Sequence, residues 1–180
     1  MHPTSANAET RSGGVVPASI RRASPDDAAA AVHILRSVAA WLVERGCPLW
    51  EPESFGVPGF KEAALRRELV LGYEGSEAVA CMLLQRSDPV FWPGASLGEA
   101  LYLHKVAVLR HATGRGWSTR LIEWARAEAL EIGARFLRLD TAPRSKLLTL
   151  YEKHGFRIID GRPRYFGDVK AMRLEMEVCR

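Results

Sequence analysis

Val32, Leu35, Val38, Ala39 and Leu42 recur at three- and four-residue spacings, as in 32/35, 35/39 and 38/42, which lays apolar side chains along one stripe of a helix. Ser24-Pro25-Asp26-Asp27 supplies its start, because a serine oxygen accepts from unpaired first-turn N–H groups and proline needs no N–H partner there. Gly46 and Pro48 end the pattern, so the helix is predicted to run to about Glu44, after a short extended segment from Ala18 to Ala23. Leu49 to Gly59, interrupted by Pro and Gly, reads as a loop, and Phe60 to Leu69 reads as a second, shorter helix.

At Leu69 the period shortens to that of a strand. Leu69–Tyr73 and Ala78–Gln85 are apolar-rich runs joined across Glu74-Gly75-Ser76, which is hairpin chemistry. Asp88–Gly98 is a further loop and Ala100–Leu109 a long strand. Trp117–Ile132 is the clearest helix, with Leu121, Ile122, Ala125, Ala129 and Ile132 on one face and Gly133 as terminator. Strand Phe136–Asp140, helix Ser145–His154 ended by Gly155, strand Phe156–Ile159 and strand Ala171–Val178 complete the order β, α, α, β, β, β, α, β, α, β, β. The last strand alternates Met172, Leu174, Met176 and Val178 with Arg173, Glu175 and Glu177, which predicts one wet face. As a sheet edge it would offer a pairing surface for a homodimer. Met1 to Pro17 has too little apolar surface to offset ordering entropy, so residues 1–17 are expected to form a flexible leader and 18–180 a single domain.

A chain of 180 residues, 47% hydrophobic and 26% charged, suits one globular domain and excludes fibrous or wholly disordered classes. Its 25 Lys and Arg against 21 Asp and Glu give a net charge of +4, which attracts any anion. There is no basic arm, dense stripe or aromatic and glycine signature of an RNA-binding sheet, so no nucleic-acid partner is expected. No apolar run is long enough to span a membrane and the N-terminus lacks a signal-peptide core, so no membrane association is expected. Cys47, Cys81 and Cys179 lie far apart, fitting neither a disulfide framework nor a paired metal site. A cytoplasmic setting and no metal follow as expectations.

The strongest chemical signal is Val106-Ala107-Val108-Leu109-Arg110-His111-Ala112-Thr113-Gly114-Arg115-Gly116-Trp117-Ser118-Thr119, a strand running through a glycine turn into a helix. Glycines let backbone approach an anion, and a helix start presents unpaired N–H groups with partial positive charge, so the stretch predicts a phosphate cradle. Arg110, Arg115 and Arg120 flank it, either as phosphate partners or as solvated side chains. Neither Gly-x-Gly-x-x-Gly nor Gly-Lys-Ser/Thr occurs, which leaves a dinucleotide fold and a P-loop NTPase unsupported.

Thr113-Gly114-Arg115-Gly116-Trp117-Ser118 resembles the pyrophosphate loop of the GNAT superfamily of N-acetyltransferases, and Leu147-Leu148-Thr149-Leu150-Tyr151-Glu152-Lys153-His154-Gly155-Phe156 resembles that family's Leu-Tyr-Glu-Lys-x-Gly-Phe segment. Thr113 and Ser118 depart from the family's usual residues, and Arg144 stands where an Asn is common. The resemblance implies an α/β acyl-CoA N-acyltransferase fold: a mixed, mostly antiparallel central sheet of about seven strands with helices on both faces. It implies acetyl-CoA in a splayed gap between two central strands, with pantetheine on Val106, Ala107 and Val108. Pyrophosphate would sit on Thr113, Gly114, Arg115, Gly116, Trp117, Ser118 and Thr119, and Arg144 would lie at a cofactor contact.

Tyr151 occupies the position of the family's acid, and a phenol stays protonated at neutral pH, ready to donate to a departing thiolate. Leu103-His104-Lys105-Val106 resembles the arylalkylamine branch, where a histidine here is implicated in deprotonating the acceptor. Strand alternation would turn His104 to the face of Tyr102 and Val106. The base stays open among His104, Glu99, Asp140 and water. The implied activity is acetyl transfer to a primary amine of a small molecule or peptide, by direct attack in a ternary complex. A non-catalytic acyl-CoA sensor would share the cradle without needing Tyr151 or His104. Trp50, Phe55, Trp92, Tyr165 and Phe166, in or beside loops, are candidates for an acceptor pocket, and His33 and His154 read as helix-surface residues.

Overall fold

A computed structural model of the chain describes residues 17–178. The expected leader lies outside them except for Pro17, whose carbonyl accepts the Gly75 N–H at 2.9 Å and so ties it to the domain. Strand β1 (Ala18–Arg22) leads to helix α1 (Ala28–Glu44). At the turn between them the Ser24 N–H and hydroxyl both donate to Asp27, at 2.7 and 2.8 Å. Helix α2 (Val57–Leu65) starts three residues earlier than its apolar pattern suggests, because Pro58 fits the first turn without an N–H partner. It also ends earlier, with Arg67 in the left-handed region at φ +59°.

Strands β2 (Leu69–Glu74), β3 (Glu77–Gln85) and β4 (Ala100–Val108) follow, then α3 (Trp117–Glu131), β5 (Phe136–Thr141) and α4 (Ser145–Lys153). Strands β6 (Arg157–Ile158), β7 (Arg164–Phe166) and β8 (Val169–Glu177) close the chain. The sheet is mixed and mostly antiparallel as expected, and its eight strands include one beyond the pattern, β7, since three residues are too few to show an alternation. The strand order is β1-β2-β3-β4-β5-β8-β6, with β7 paired to β8. Every pairing is antiparallel except that of β4 with β5.

Two expectations about the last strand are corrected. It is interior, flanked by β5 on one side and by β6 and β7 on the other, so it offers no free edge for a homodimer. Nor is its polar face wet except at the end, where Glu177 stays exposed: Glu175 is buried against Arg138 at 2.8 Å, and Arg173 meets Asp160 at 2.8 Å. The face those side chains share with β5 is covered by the β3–β4 connection, whose Trp92 packs with Ala100, Tyr102 and Phe136. Helices α1 and α2 cover the same face over β2 and β3, and α3 with Tyr151 of α4 covers the opposite one.

Candidate active site

Strand β4 leaves its parallel neighbour early. The last residue pair between them is Leu103 with Leu139, after which β4 runs on to Val108 without contacting β5 in the ladder. The divergence has a local cause at Lys105, which sits at φ +54°. Leu83 faces His104 but Cys81 faces Ala107, so three steps on β4 oppose two on β3. This is a β-bulge, and it bends the strand and interrupts its alternation. His104 therefore shares a face with Tyr102, as expected, but Val106 does not. Val106 and Val108 pack toward α3 with Leu101 and Leu103, while Ala107 and Leu109 pack toward α1.

Past Leu109 a short turn, Arg110–Ala112, brings the chain to Gly114 and Gly116 at φ +83° and +78°, both conformations that glycine adopts without strain. Helix α3 begins directly afterward at Trp117, and no acidic residue occupies its first turn. A cavity of about 290 Å³ is lined by Val108, Ala112, Thr113, Gly114, Gly116, Trp117, Ser118 and Thr119. The first-turn N–H groups of α3 lack partners within the helix and supply donors for an anion there. Trp117 is fixed by its ring, buried and donating Nε1–H to Glu74 at 2.8 Å.

Two of the three flanking arginines are used elsewhere, while Arg120 lies over the Trp117 ring. Arg115 pairs with Glu74 and does not line the cavity, and Arg110 stacks on Trp41 with its guanidinium carbon 4.0 Å from the ring centre. Arg144, expected at a cofactor contact, instead donates to the carbonyls of Cys47, at 2.7 Å, and Pro48. It ties the start of α4 to the segment after α1. His154, read as a surface residue, lies 3.4 Å from the hydroxyl of Thr119 at the edge of the cradle.

At the mouth of the strand gap, His104 and Asp140 are the first residues beyond the last pair, on the same face of adjacent strands. His104 Nδ1 is 3.3 Å from Asp140 Oδ1, and its Nε2 is 3.5 Å from Asp88 Oδ2. Asp88, in the β3–β4 connection, was not singled out from sequence, because nothing local marks a loop carboxylate sixteen residues upstream as a neighbour of His104. The three residues are the type of set that binds a metal ion. The nearest atoms of the three lie within 4.8 Å of one another, and each carboxylate meets a different ring nitrogen, so hydrogen bonds alone can also hold the ring.

On the other side of the sheet, Tyr151 is buried against Phe156, and its hydroxyl is pushed up to about 12, first by burial and then by the charge of Asp140. Glu99 is not in this group, being paired with Arg138 at 3.0 Å. The Lys105 ammonium lies over Trp50 and Phe55, 5.2 and 5.6 Å from the ring centres, and burial lowers its pKa. Of the other aromatic candidates, Trp92 and Tyr102 are buried together, Phe166 stacks on Phe91, and Tyr165 is 70% exposed. Among the described residues no helix is long and apolar enough to cross a membrane.

Known proteins share the fold. The uncharacterised N-acetyltransferase YesJ of Bacillus subtilis is 25% identical over 150 residues, spanning 74% of this chain and 78% of the relative. The crystal structure of a GNAT-family acetyltransferase from Listeria monocytogenes superposes with a TM-score of 0.74 at 22% identity, covering 91% of this chain and 96% of that one. The acetyltransferase yncA of Salmonella typhimurium, solved with acetyl-CoA, superposes with a TM-score of 0.69 at 15% identity, covering 91% and 95%. Residues 66–158, just over half the chain, match the sequence family described as the acetyltransferase (GNAT) domain, and the chain belongs to that family of acetyltransferases.

Proposed function

We propose that the protein moves an acetyl group from acetyl-CoA to a primary amine of a small molecule or peptide by direct attack in a ternary complex, with 18–180 as its acetyltransferase domain. The observation that carries this reading is the continuity of the cradle at Gly114–Thr119 with the gap opened at Lys105. Acetyl-CoA supplies the thioester, whose acyl carbon is the electrophile. Thr113, Gly114, Gly116, Trp117, Ser118 and Thr119 line the space for its pyrophosphate, and the unpaired edge of β4 at Val106, Ala107 and Val108 is available to the pantetheine arm.

His104 and Tyr151 divide the proton work from opposite faces of the sheet. His104 takes the proton of the attacking ammonium, and Tyr151, whose raised pKa keeps it protonated through neutral pH, gives its hydrogen to the departing sulfur. The test is binding first and turnover second. Acetyl-CoA and CoA are expected to raise the melting temperature far more than NAD or ATP, and a screen of amines should release free thiol. Absence of any thermal shift at millimolar CoA refutes the reading, and firm CoA binding without turnover of any amine assigns a sensor instead.

A further inference from the structure

His104 stands between carboxylates delivered by two different parts of the fold. Asp140 is its in-register neighbour on β5, and Asp88 arrives from the β3–β4 connection. His104 Nε2 and Asp88 Oδ2 face each other, both buried and both without a hydrogen-bond partner. Unpaired buried polar atoms cost about 1–3 kcal/mol each, and one hydrogen on Nε2 directed at Oδ2 relieves both. In the neutral ring that hydrogen leaves the lone pair on Nδ1, beside Asp140.

Asp88 is not free to turn away. Its other oxygen accepts the Phe91 N–H at 3.0 Å, and the Phe91 carbonyl accepts from Arg173 of β8 at 3.2 Å. Asp140 is the less buried carboxylate, with 16% of its side chain exposed against 6% for Asp88. Its one polar side-chain contact among the described residues is His104, and its charge is felt at both Tyr151 and Lys105.

On the acetyltransferase reading above, we propose that Asp88 is a positioning residue that fixes the tautomer of His104, and that Asp140 receives the acceptor as a cationic ammonium beside Nδ1. The ammonium proton passes to Nδ1, giving an imidazolium with a carboxylate at each N–H. The freed lone pair of the amine forms the C–N bond as the C–S bond of the thioester breaks, the Tyr151 hydrogen goes to sulfur, and the surplus proton on the acylated nitrogen leaves to solvent as the amide forms. The proton held by His104 then restores Tyr151 through solvent. The two long contacts at 3.3 and 3.5 Å tighten when the imidazolium forms, as hydrogen bonds in unliganded active sites commonly do. The site thus selects amines that arrive charged, and it disfavours acceptors that are neutral or anionic at the reacting end.

The tautomer is read directly by nitrogen-15 NMR of the full chain, with the His104 signals identified by their loss in His104→Gln. Wild type is expected to carry hydrogen on Nε2 when neutral, and Asp88→Asn to shift it wholly or partly to Nδ1. Hydrogen on Nδ1 in wild type, or an unchanged ring in Asp88→Asn, overturns the role of Asp88, and this measurement needs no acceptor. With acetyl-CoA and two probe amines, methylamine as a cation and hydroxylamine as a nucleophile uncharged at about pH 7.5, Asp140→Asn should raise KM for methylamine about tenfold or more and leave hydroxylamine nearly unchanged. Equal effects on both overturn the role of Asp140. Asp88→Asn should cut kcat about 100-fold or more with the KM for acetyl-CoA unaltered. Loss of the acetyl-CoA thermal shift in wild type would remove the acetyltransferase reading itself, whereas a normal shift with the wrong tautomer removes this proposal alone.

Discussion

Gly72→Ala is a one-methyl test of how the phosphate cradle is held. Gly72 lies in β2, opposite Ala80, with the ring of Trp117 pressed onto its α-carbon. A β-carbon added there would lie 2.5 Å from Trp117 Cζ3 and 2.8 Å from Cε3. Carbon atoms rest at about 3.5–4.0 Å, so the ring must retreat by about 1 Å. It has little freedom to do so, because Trp117 is 2% exposed and its Nε1–H is held by Glu74 at 2.8 Å. Overpacking of this kind costs about 1–3 kcal/mol. For a domain of this size each kcal/mol lowers the melting temperature by about 2–4 °C, so a fall of about 2–12 °C is expected.

The same displacement acts on function, because Trp117 is the first residue of α3 and the donors of the cradle move with it. A hydrogen bond to a charged group is worth about 1.5–3 kcal/mol, and losing one by misplacement should weaken CoA about 10- to 100-fold. Differential scanning calorimetry and titration calorimetry with CoA read the two effects. Gly59→Ala, inside α2 where an added β-carbon meets nothing within 4 Å, is the control and should leave CoA affinity unchanged while raising the melting temperature slightly, as alanine favours the helix. In the Gly72→Ala background, Trp117→Leu should recover part of the affinity by removing the collision. Unchanged melting and unchanged CoA affinity in Gly72→Ala would refute the idea that the Gly72–Trp117 contact sets the position of the cradle.

Three further outcomes are expected. Tyr151→Phe should lower kcat by about 100- to 10,000-fold while melting temperature and acetyl-CoA KM hold, since phenylalanine keeps the ring's packing on Phe156; wild-type turnover of an identified amine would end its role as acid. The Tyr151 and Tyr73 hydroxyls are both pushed up to about 12, so the stability they confer is complete below the unfolded value near 10 and is lost as pH rises toward 12; urea titrations from pH 9 to 12 should show this fall, shallower in Tyr151→Phe. Burial pushes the Cys81 thiol up as well, so peptide mapping after maleimide treatment of the native protein should find Cys81 unlabelled, and rapid labelling would show that β3 opens easily.

The sequence legibly encoded whatever repeats with a regular period. The stripe of α1, the hairpin of β2 and β3, and the strand, turn and helix around Gly114 follow from apolar spacing and glycine chemistry, and each is found within a few residues of its expected place. What escaped depends on long-range placement. Lys105 carries no local sign that it will adopt φ +54°, since a lysine there is chosen by the shape of the sheet and not by its own preference. Unbroken alternation would put Val106 on the face of His104, and the bulge turns it to the other. The polar stripe of β8 looked solvated because Arg138 and Asp160, which bury it, lie far away in sequence. Asp88 and the reach of Arg144 across 97 residues to Cys47 were illegible for the same reason.

Lys105 also bears on how β4 tolerates insertion and deletion. Leu83 opposes His104 and Cys81 opposes Ala107, so removing Lys105 alone would place Val106 opposite Met82 in an unbroken antiparallel ladder. Every apolar side chain of β4 would keep the face it now has. Lys105 is thus a supernumerary residue in the arithmetic of the strand, one that the packing of the core does not require. A chain lacking it would be relieved of a left-handed lysine and would gain a straighter seam between β4 and β5, at the expense of the opening that the bulge creates. The deletion variant separates two demands usually entangled in one sequence, because it tests the requirement for an opening while leaving the folding pattern whole.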